Sequence, residues 1–160
     1  MNKVSIIMGS ASDLGTVNEV IHVLRDFKII FEIKVLSAHR TPKELVQYVE
    51  SAPQKGVKVF IAAAGMSAAL AGVIASHTIL PVIGIPMETK NLKGLDSLLS
   101  TVQMPAGIPV ASMAIGKAGA KNAGLFAAEI LGITDKKIAK KLSAYKKSMR
   151  VKIKNTRIKL

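Results

Sequence analysis

Val57-Lys-Val-Phe-Ile-Ala-Ala-Ala-Gly-Met-Ser67 is the stretch on which the fold turns. From Val57 to Ala63 it is almost continuously apolar, as expected of a strand buried on both faces, and such strands belong to parallel sheets covered by helices. The small residues that follow predict a helix from about Ala68 to His77, able to pack closely on a sheet or on another subunit. Outward in both directions the alternation continues. Strands are predicted at Val4–Met8, Phe31–Leu36, Val82–Ile85 and Val110–Met113. Between them lie helices carrying Leu14, Val17, Ile21 and Leu24 at helical spacing, a helix from Thr41-Pro42-Lys43-Glu44 (a capping-box pattern with Pro at the first turn) to about Ser51, and further helices at about Leu95–Val102 and Lys117–Leu131. Asp135 or Thr134 caps a last helix. Five strands alternating with helices imply crossovers and a flavodoxin-like α/β fold, a three-layer αβα sandwich on a parallel sheet.

Composition narrows the class. The chain has 160 residues, 49% of them apolar, and no Cys, which suits one domain with a full core and rules out disulfides and thiolate metal sites. A strand-like run from Lys3 leaves no room for a signal peptide, and no apolar run reaches the roughly 20 residues of a membrane span, so a cytoplasmic protein is expected. The net charge of +13 is uneven: residues 134–160 hold eleven Lys or Arg and one acid, whereas the first 133 hold twelve basic and nine acidic residues. The expected organisation is therefore a catalytic domain over 1–133 and a C-terminal helix with a basic tail over 134–160.

In open parallel sheets ligands bind beyond the carboxyl ends of the strands, which selects three loops. Gly9-Ser-Ala-Ser-Asp13 offers a glycine turn, two hydroxyls and backbone N–H groups suited to phosphate; Asp13 suits sugar hydroxyls, while Ser12 or Asp13 could equally be a helix cap. Ser37-Ala-His-Arg-Thr-Pro42 places His39, able to move protons near neutral pH, beside Arg40, able to pair with phosphate. Ala64-Gly-Met-Ser67 has no titratable side chain and offers close backbone approach and N–H donors. His22 reads as solvated and His77 as a structural helix terminus. No phosphate-binding P-loop, dinucleotide fingerprint, nucleophile elbow or metal-ligand spacing is present, and aromatics are only 4%, so no metal and no cofactor are expected.

Met8-Gly-Ser-Ala-Ser-Asp13, Ser37-Ala-His-Arg-Thr-Pro42, Asp96-Ser-Leu-Leu-Ser100, Gln103-Met-Pro-Ala-Gly-Ile-Pro-Val110 and Ala114-Ile-Gly116 with Asn122-Ala123 occur in that order. Together they closely resemble the PurE family of purine biosynthesis, the 5-(carboxyamino)imidazole ribonucleotide mutases, from Val4 to about Leu131. The resemblance implies a cofactor-free transfer of carboxylate from an exocyclic amine to a carbon of the same imidazole. Ser10, Ser12 and Arg40 would hold the phosphate and Asp13 the ribose, with Ser37 in the same substrate-binding loop. His39 would be the general acid and base, Ala64 and Gly65 would give backbone contacts, and Met104 would lie near the site. A homo-octamer acting on a small ribonucleotide, without membrane or nucleic-acid partners, is implied. The third loop departs from the common family pattern, with Ala69 in place of His and Ala71 in place of Pro, so a second imidazole is absent. Two other readings are a direct CO2-dependent aminoimidazole ribonucleotide carboxylase and, from a different class, a nucleic-acid-binding module led by the basic tail.

Overall fold

The computed structural model describes residues 2–158. Its centre is a five-stranded parallel sheet of β1 (Lys3–Met8), β2 (Ile30–Val35), β3 (Val57–Ala64), β4 (Val82–Pro86) and β5 (Ala111–Ser112), in the order β2-β1-β3-β4-β5. The helices are α1 (Leu14–Asp26), α2 (Pro42–Ser51), α3 (Leu70–Ser76), α4 (Leu95–Val102), α5 (Gly116–Gly132) and α6 (Lys136–Lys154). This is the expected flavodoxin-like sandwich.

Period-two alternation in the inner strands makes two cores. Val4, Ile6 and Met8 of β1 face the side of α1 and α5 together with Val59 and Ile61 of β3. Ile7, Phe60 and Ala62 face α2 and α3. The only polar side chain buried along β1 is Ser5, whose Oγ lies 2.6 Å from the Tyr48 hydroxyl; that hydroxyl donates to Glu32 Oε1 at 2.8 Å, and Lys3 Nζ closes the chain at 2.9 Å. Burial with these partners spares the core an unsatisfied hydroxyl. Close approach is set by glycine. A β-carbon at Gly84 of β4 would stand 3.4 Å from Ala71 of α3 and clash with Thr101 of α4, and one at Gly124 of α5 would come within 2.9 Å of Val23 of α1.

Several expectations need correction. Leu14 lies on the expected stripe yet is 43% exposed, while Val20 and Val23 are buried. The reason is that α1 packs against α5 as well as the sheet, so its buried arc is wider and rotated. The capping box at Thr41 does not form: Thr41 Oγ1 instead accepts from Ser37 N at 2.8 Å and donates to Ser37 O at 3.2 Å. Helix α3 starts at Leu70, after two tight backbone contacts, Ala68 N to Met66 O and Ala69 N to Ser67 O. Strand β5 is only two residues long, though Met113 N still donates to Gly84 O at 2.9 Å.

Helix α6 begins at an Asp135 cap, whose Oδ1 accepts from Lys137 N and Ile138 N at 2.9 and 3.2 Å. Ile138 and Leu142 join the α1/α5 core and Tyr145 meets Phe27 edge-on at 6.0 Å, so the first half of the basic segment is seated on the body. From Lys146 onward the described residues are exposed. No helix among them is long and apolar enough to cross a membrane.

Candidate active site

The strand order reverses between β1 and β3, and at such a switch point the loops beyond the two strands diverge and leave a crevice. A cleft of about 880 Å³ opens there, within the range of small-molecule sites. Ser10, Ser12, Asp13, Ser37, His39, Arg40, Ala64 and Gly65 all border it. A second hollow of about 430 Å³ lies at the opposite end of the sheet, between the β2 entry and α6, and holds none of these residues.

The loop after β1 is self-bracing. Gly9 N donates to Ala63 O at 3.1 Å, tying its start to β3. Ser10 then caps a short 3-10 turn, Ala11–Asp13: its Oγ accepts from Ser12 N at 3.3 Å while Asp13 Oδ2 accepts from Ser10 N at 3.2 Å. The hydroxyl that caps is thus Ser10, not Ser12; Asp13 completes the capping box and stands at the N-cap position of α1 without a side-chain bond to that helix. Ser12 Oγ donates to Ser10 Oγ at 2.8 Å, which sets the two hydroxyls side by side at the cleft. Half-burial of the Asp13 carboxyl raises its pKa above the ordinary value, although the Ser10 N–H, the Ser12 hydroxyl and the Arg40 charge pull the other way.

The loop after β2 is a turn organised by Ser37. Its Oγ accepts from His39 N and Arg40 N at 3.3 and 3.2 Å, so this hydroxyl holds the backbone that carries the two candidate side chains. Arg40 reaches back across the cleft, Nη2 donating to Gly9 O at 2.9 Å. One guanidinium on the cleft lining therefore clamps the two loops. His39 is exposed at the rim.

The opposite wall is backbone and small side chains. Gly65 is packed closely enough that a β-carbon would lie 3.4 Å from Met87 Cβ and 3.5 Å from Thr89 Cγ2. Ala64 O accepts from Met87 N at 2.9 Å, joining this wall to the loop after β4. That loop, Met87 to Asn91 with Asp96 behind it, lines the cleft and was missed by the sequence reading. The same rule of carboxyl-terminal strand ends would have found it, since it follows a strand closed by Pro86. Met104 does not line the cleft; its Sδ and Cε lie over Gly72 of α3, where the missing β-carbon leaves room. Ala69 is on the lining and Ala71 is buried on the inner face of α3. Among the described residues no cluster of His, Asp or Glu could hold a metal ion. His77 Nδ1 sits 3.3 Å from Glu50 Oε1, and His22 is exposed on α1, both away from the cleft.

A family model described as AIR carboxylase matches residues 3–152. The N5-carboxyaminoimidazole ribonucleotide mutase of Saccharolobus solfataricus is 51% identical over 158 residues, 99% of each chain. That of Pyrococcus abyssi is 53% identical over 94% of this chain and 85% of its own, and that of Bacillus subtilis 53% identical over 87% and 86%. The crystal structure of Treponema denticola PurE superposes with a TM-score of 0.87 at 32% identity, covering 96% of this chain and 94% of that one.

Proposed function

Since the chain belongs to the AIR carboxylase, or PurE, family, we propose that it converts N5-carboxyaminoimidazole ribonucleotide to 4-carboxy-5-aminoimidazole ribonucleotide, an isomerisation within de novo purine biosynthesis. The observation that carries the reading is the clamp of Arg40 on Gly9, which joins a hydroxyl-bearing turn to a loop carrying one imidazole at one cleft. The phosphate binds Ser10, Ser12 and Arg40, and the ribose binds Asp13. His39 gives a proton to the exocyclic nitrogen as the N–C bond breaks, releasing CO2 and leaving aminoimidazole ribonucleotide. The ring carbon then attacks the retained CO2, and His39 removes the proton from that carbon. Atoms and charge balance within one molecule, so no redox group or cosubstrate enters the scheme. Holding CO2 beside the ring makes recapture effectively intramolecular, the source of high effective molarity.

The chain acts in the cytoplasm as a homo-octamer. Support for assembly comes from the apolar residues left exposed on α4, Leu95, Leu99 and Val102, more than a lone domain needs to show on one short helix. Carboxyamino substrate given with isotopically labelled bicarbonate tests the reaction: a mutase yields product with little label. Full labelling, with ready turnover of aminoimidazole ribonucleotide and bicarbonate alone, would make the chain a direct carboxylase instead.

A further inference from the structure

Asp96-Ser-Leu-Leu-Ser100 recurs among the motifs of the sequence, yet none of its side chains has a role in the chemistry above. The structure gives it one. Ser97 is fully buried, and its Oγ accepts from Met66 N at 2.9 Å. Met66 has a φ of +60°, a left-handed conformation that a residue with a β-carbon adopts only when something holds it there. Its own side chain does not hold it, being 68% exposed. The shorter anchor is the hydrogen bond from its amide to Ser97 Oγ, and its carbonyl accepts a longer one from Ser100 Oγ at 3.5 Å. Asp96, next in the motif, fastens the adjoining loop: Thr89 Oγ1 donates to Asp96 Oδ1 at 2.8 Å and accepts from Gly94 N at 3.1 Å. Two consecutive residues of α4 therefore fix both loops of the wall that faces Ser10 and Arg40.

We propose that Ser97 is a positioning residue for the carboxylate transfer, acting through the Met66 amide to keep the Ala64–Ala69 wall closed over the reacting carbon. The inference rests on the function proposed above. A ribonucleotide anchored by its phosphate at Ser10 and Arg40 extends its base towards this wall. The wall contributes alanines and backbone, which suit a small neutral molecule awaiting recapture. Without the Ser97 bond the Met66 backbone relaxes towards negative φ and the wall opens at Gly65. Decarboxylation then continues, the N–C bond breaking with protonation at nitrogen, but CO2 leaves before the C–C bond forms.

The test is Ser97→Ala, read in three ways. Hydrogen exchange at the Met66 amide should accelerate. Carboxylated product should form up to about tenfold more slowly, the scale of one lost hydrogen bond at a partly buried amide, with free aminoimidazole ribonucleotide released in its place. The dissociation constant for aminoimidazole ribonucleotide, which depends on the phosphate, should stay within about twofold, because Ser97 touches none of the phosphate-binding groups. Adding Met66→Gly, which accepts positive φ without an anchor, should restore much of the retention of CO2; a purely stabilising role for Ser97 would leave that ratio unmoved. If Ser97→Ala does not fold, Ser97→Cys keeps the size with a weaker acceptor and should show an intermediate leak. Unchanged rate and retention despite faster Met66 exchange would overturn the proposal, as would a parallel loss of affinity for aminoimidazole ribonucleotide. Failure of the wild-type protein to consume carboxyamino substrate would instead remove the functional reading, with the exchange result still reporting the bond.

Discussion

The two walls of the cleft are built on opposite plans. One, after β1 and β2, acts through side chains: three hydroxyls, a carboxyl, an imidazole and a guanidinium within Ser10–Asp13 and Ser37–Arg40. Its side-chain bracing is mostly local, each loop closed by bonds between residues two to four apart, with Arg40 the long-range side-chain clamp and Gly9 N to Ala63 O the backbone tie. The other offers alanine, glycine and main chain at Ala64–Ala69 after β3, with the loop after β4 adding Glu88, Thr89, Lys90 and Asn91 beside it, and its Met66 is braced from 31 residues away by Ser97. The difference suits the two ends of a charged, reacting ligand. An anion is bound by paired charge and donors. A neutral gas is bound by nothing of the kind and has to be enclosed. On this view the side-chain wall sets affinity and proton transfer, and the backbone wall sets whether carbon is kept.

Replacing His39 by Asn gives the largest effect. The side chain keeps its approximate size and polarity but cannot carry a proton at neutral pH. General acid–base contributions run to roughly 100–10,000-fold, and kcat should fall by at least the lower figure. Affinity for aminoimidazole ribonucleotide, measured by calorimetry, should hold, since His39 makes no brace beyond its backbone N–H. Turnover within tenfold of wild type would place the proton donor elsewhere.

Arg40→Ala comes next and falls on binding. It removes the proposed charge-assisted contact to the phosphate together with the bond to Gly9 O. A hydrogen bond to a charged group contributes about 1.5–3 kcal/mol, so the dissociation constant for aminoimidazole ribonucleotide should rise roughly 10- to 150-fold. Ser10→Ala should weaken binding less, because Ser12 remains beside it. Equal affinity for phosphorylated and dephosphorylated ligand in wild-type protein would show that the anion sits on some other surface.

The contrast between the walls also explains what could be read from sequence. Continuous apolar runs made the inner strands plain, and His39, Arg40, Ser10 and Asp13 stood out because their chemistry is in their side chains. The backbone wall carries no such signal. Nothing in Ala64-Gly-Met-Ser67 states that Met66 lies at positive φ, with its amide donating to Ser97 from across the fold. The same cause misled the reading of Thr41, whose hydroxyl has the pattern of a helix cap but is taken by the Ser37 turn. Met104, placed by resemblance near the site, fills the space above Gly72.

Thr89→Val sharpens the comparison on the backbone side with a smaller effect. The substitution is close to isosteric and removes both the donation to Asp96 and the acceptance from Gly94 N. The loop after β4 keeps its tie through Met87 N to Ala64 O, so the wall loosens without opening. A several-fold drop in kcat is expected with ligand affinity unchanged, each of the two lost hydrogen bonds contributing about 0.5–1.5 kcal/mol net to the loop. A loss seen only in the dissociation constant would mean that this wall also binds, and the division between the walls would fail.

The smallest effect is expected from truncation after Met149, which removes five of the positive charges. No residue of α6 borders the cleft, and the contacts that seat the helix, Ile138, Leu142 and Tyr145, precede the cut. The nearby surface pair Lys146–Glu129 at 2.8 Å also survives. Chemistry and both walls should therefore be intact, with kcat within about twofold, the usual reach of surface changes under 0.5 kcal/mol. What the removed charges can still influence is encounter, since the substrate carries a phosphate and a carboxylate and long-range steering follows net charge. At low salt kcat/KM should fall modestly. At about 0.15 M salt, where the screening length shrinks to about 8 Å, the difference should vanish. A deficit in kcat that persists at high salt while the oligomer stays whole would mean that the distal helix reaches a cleft, that of its own chain or of a neighbour, and the site would then have a third wall.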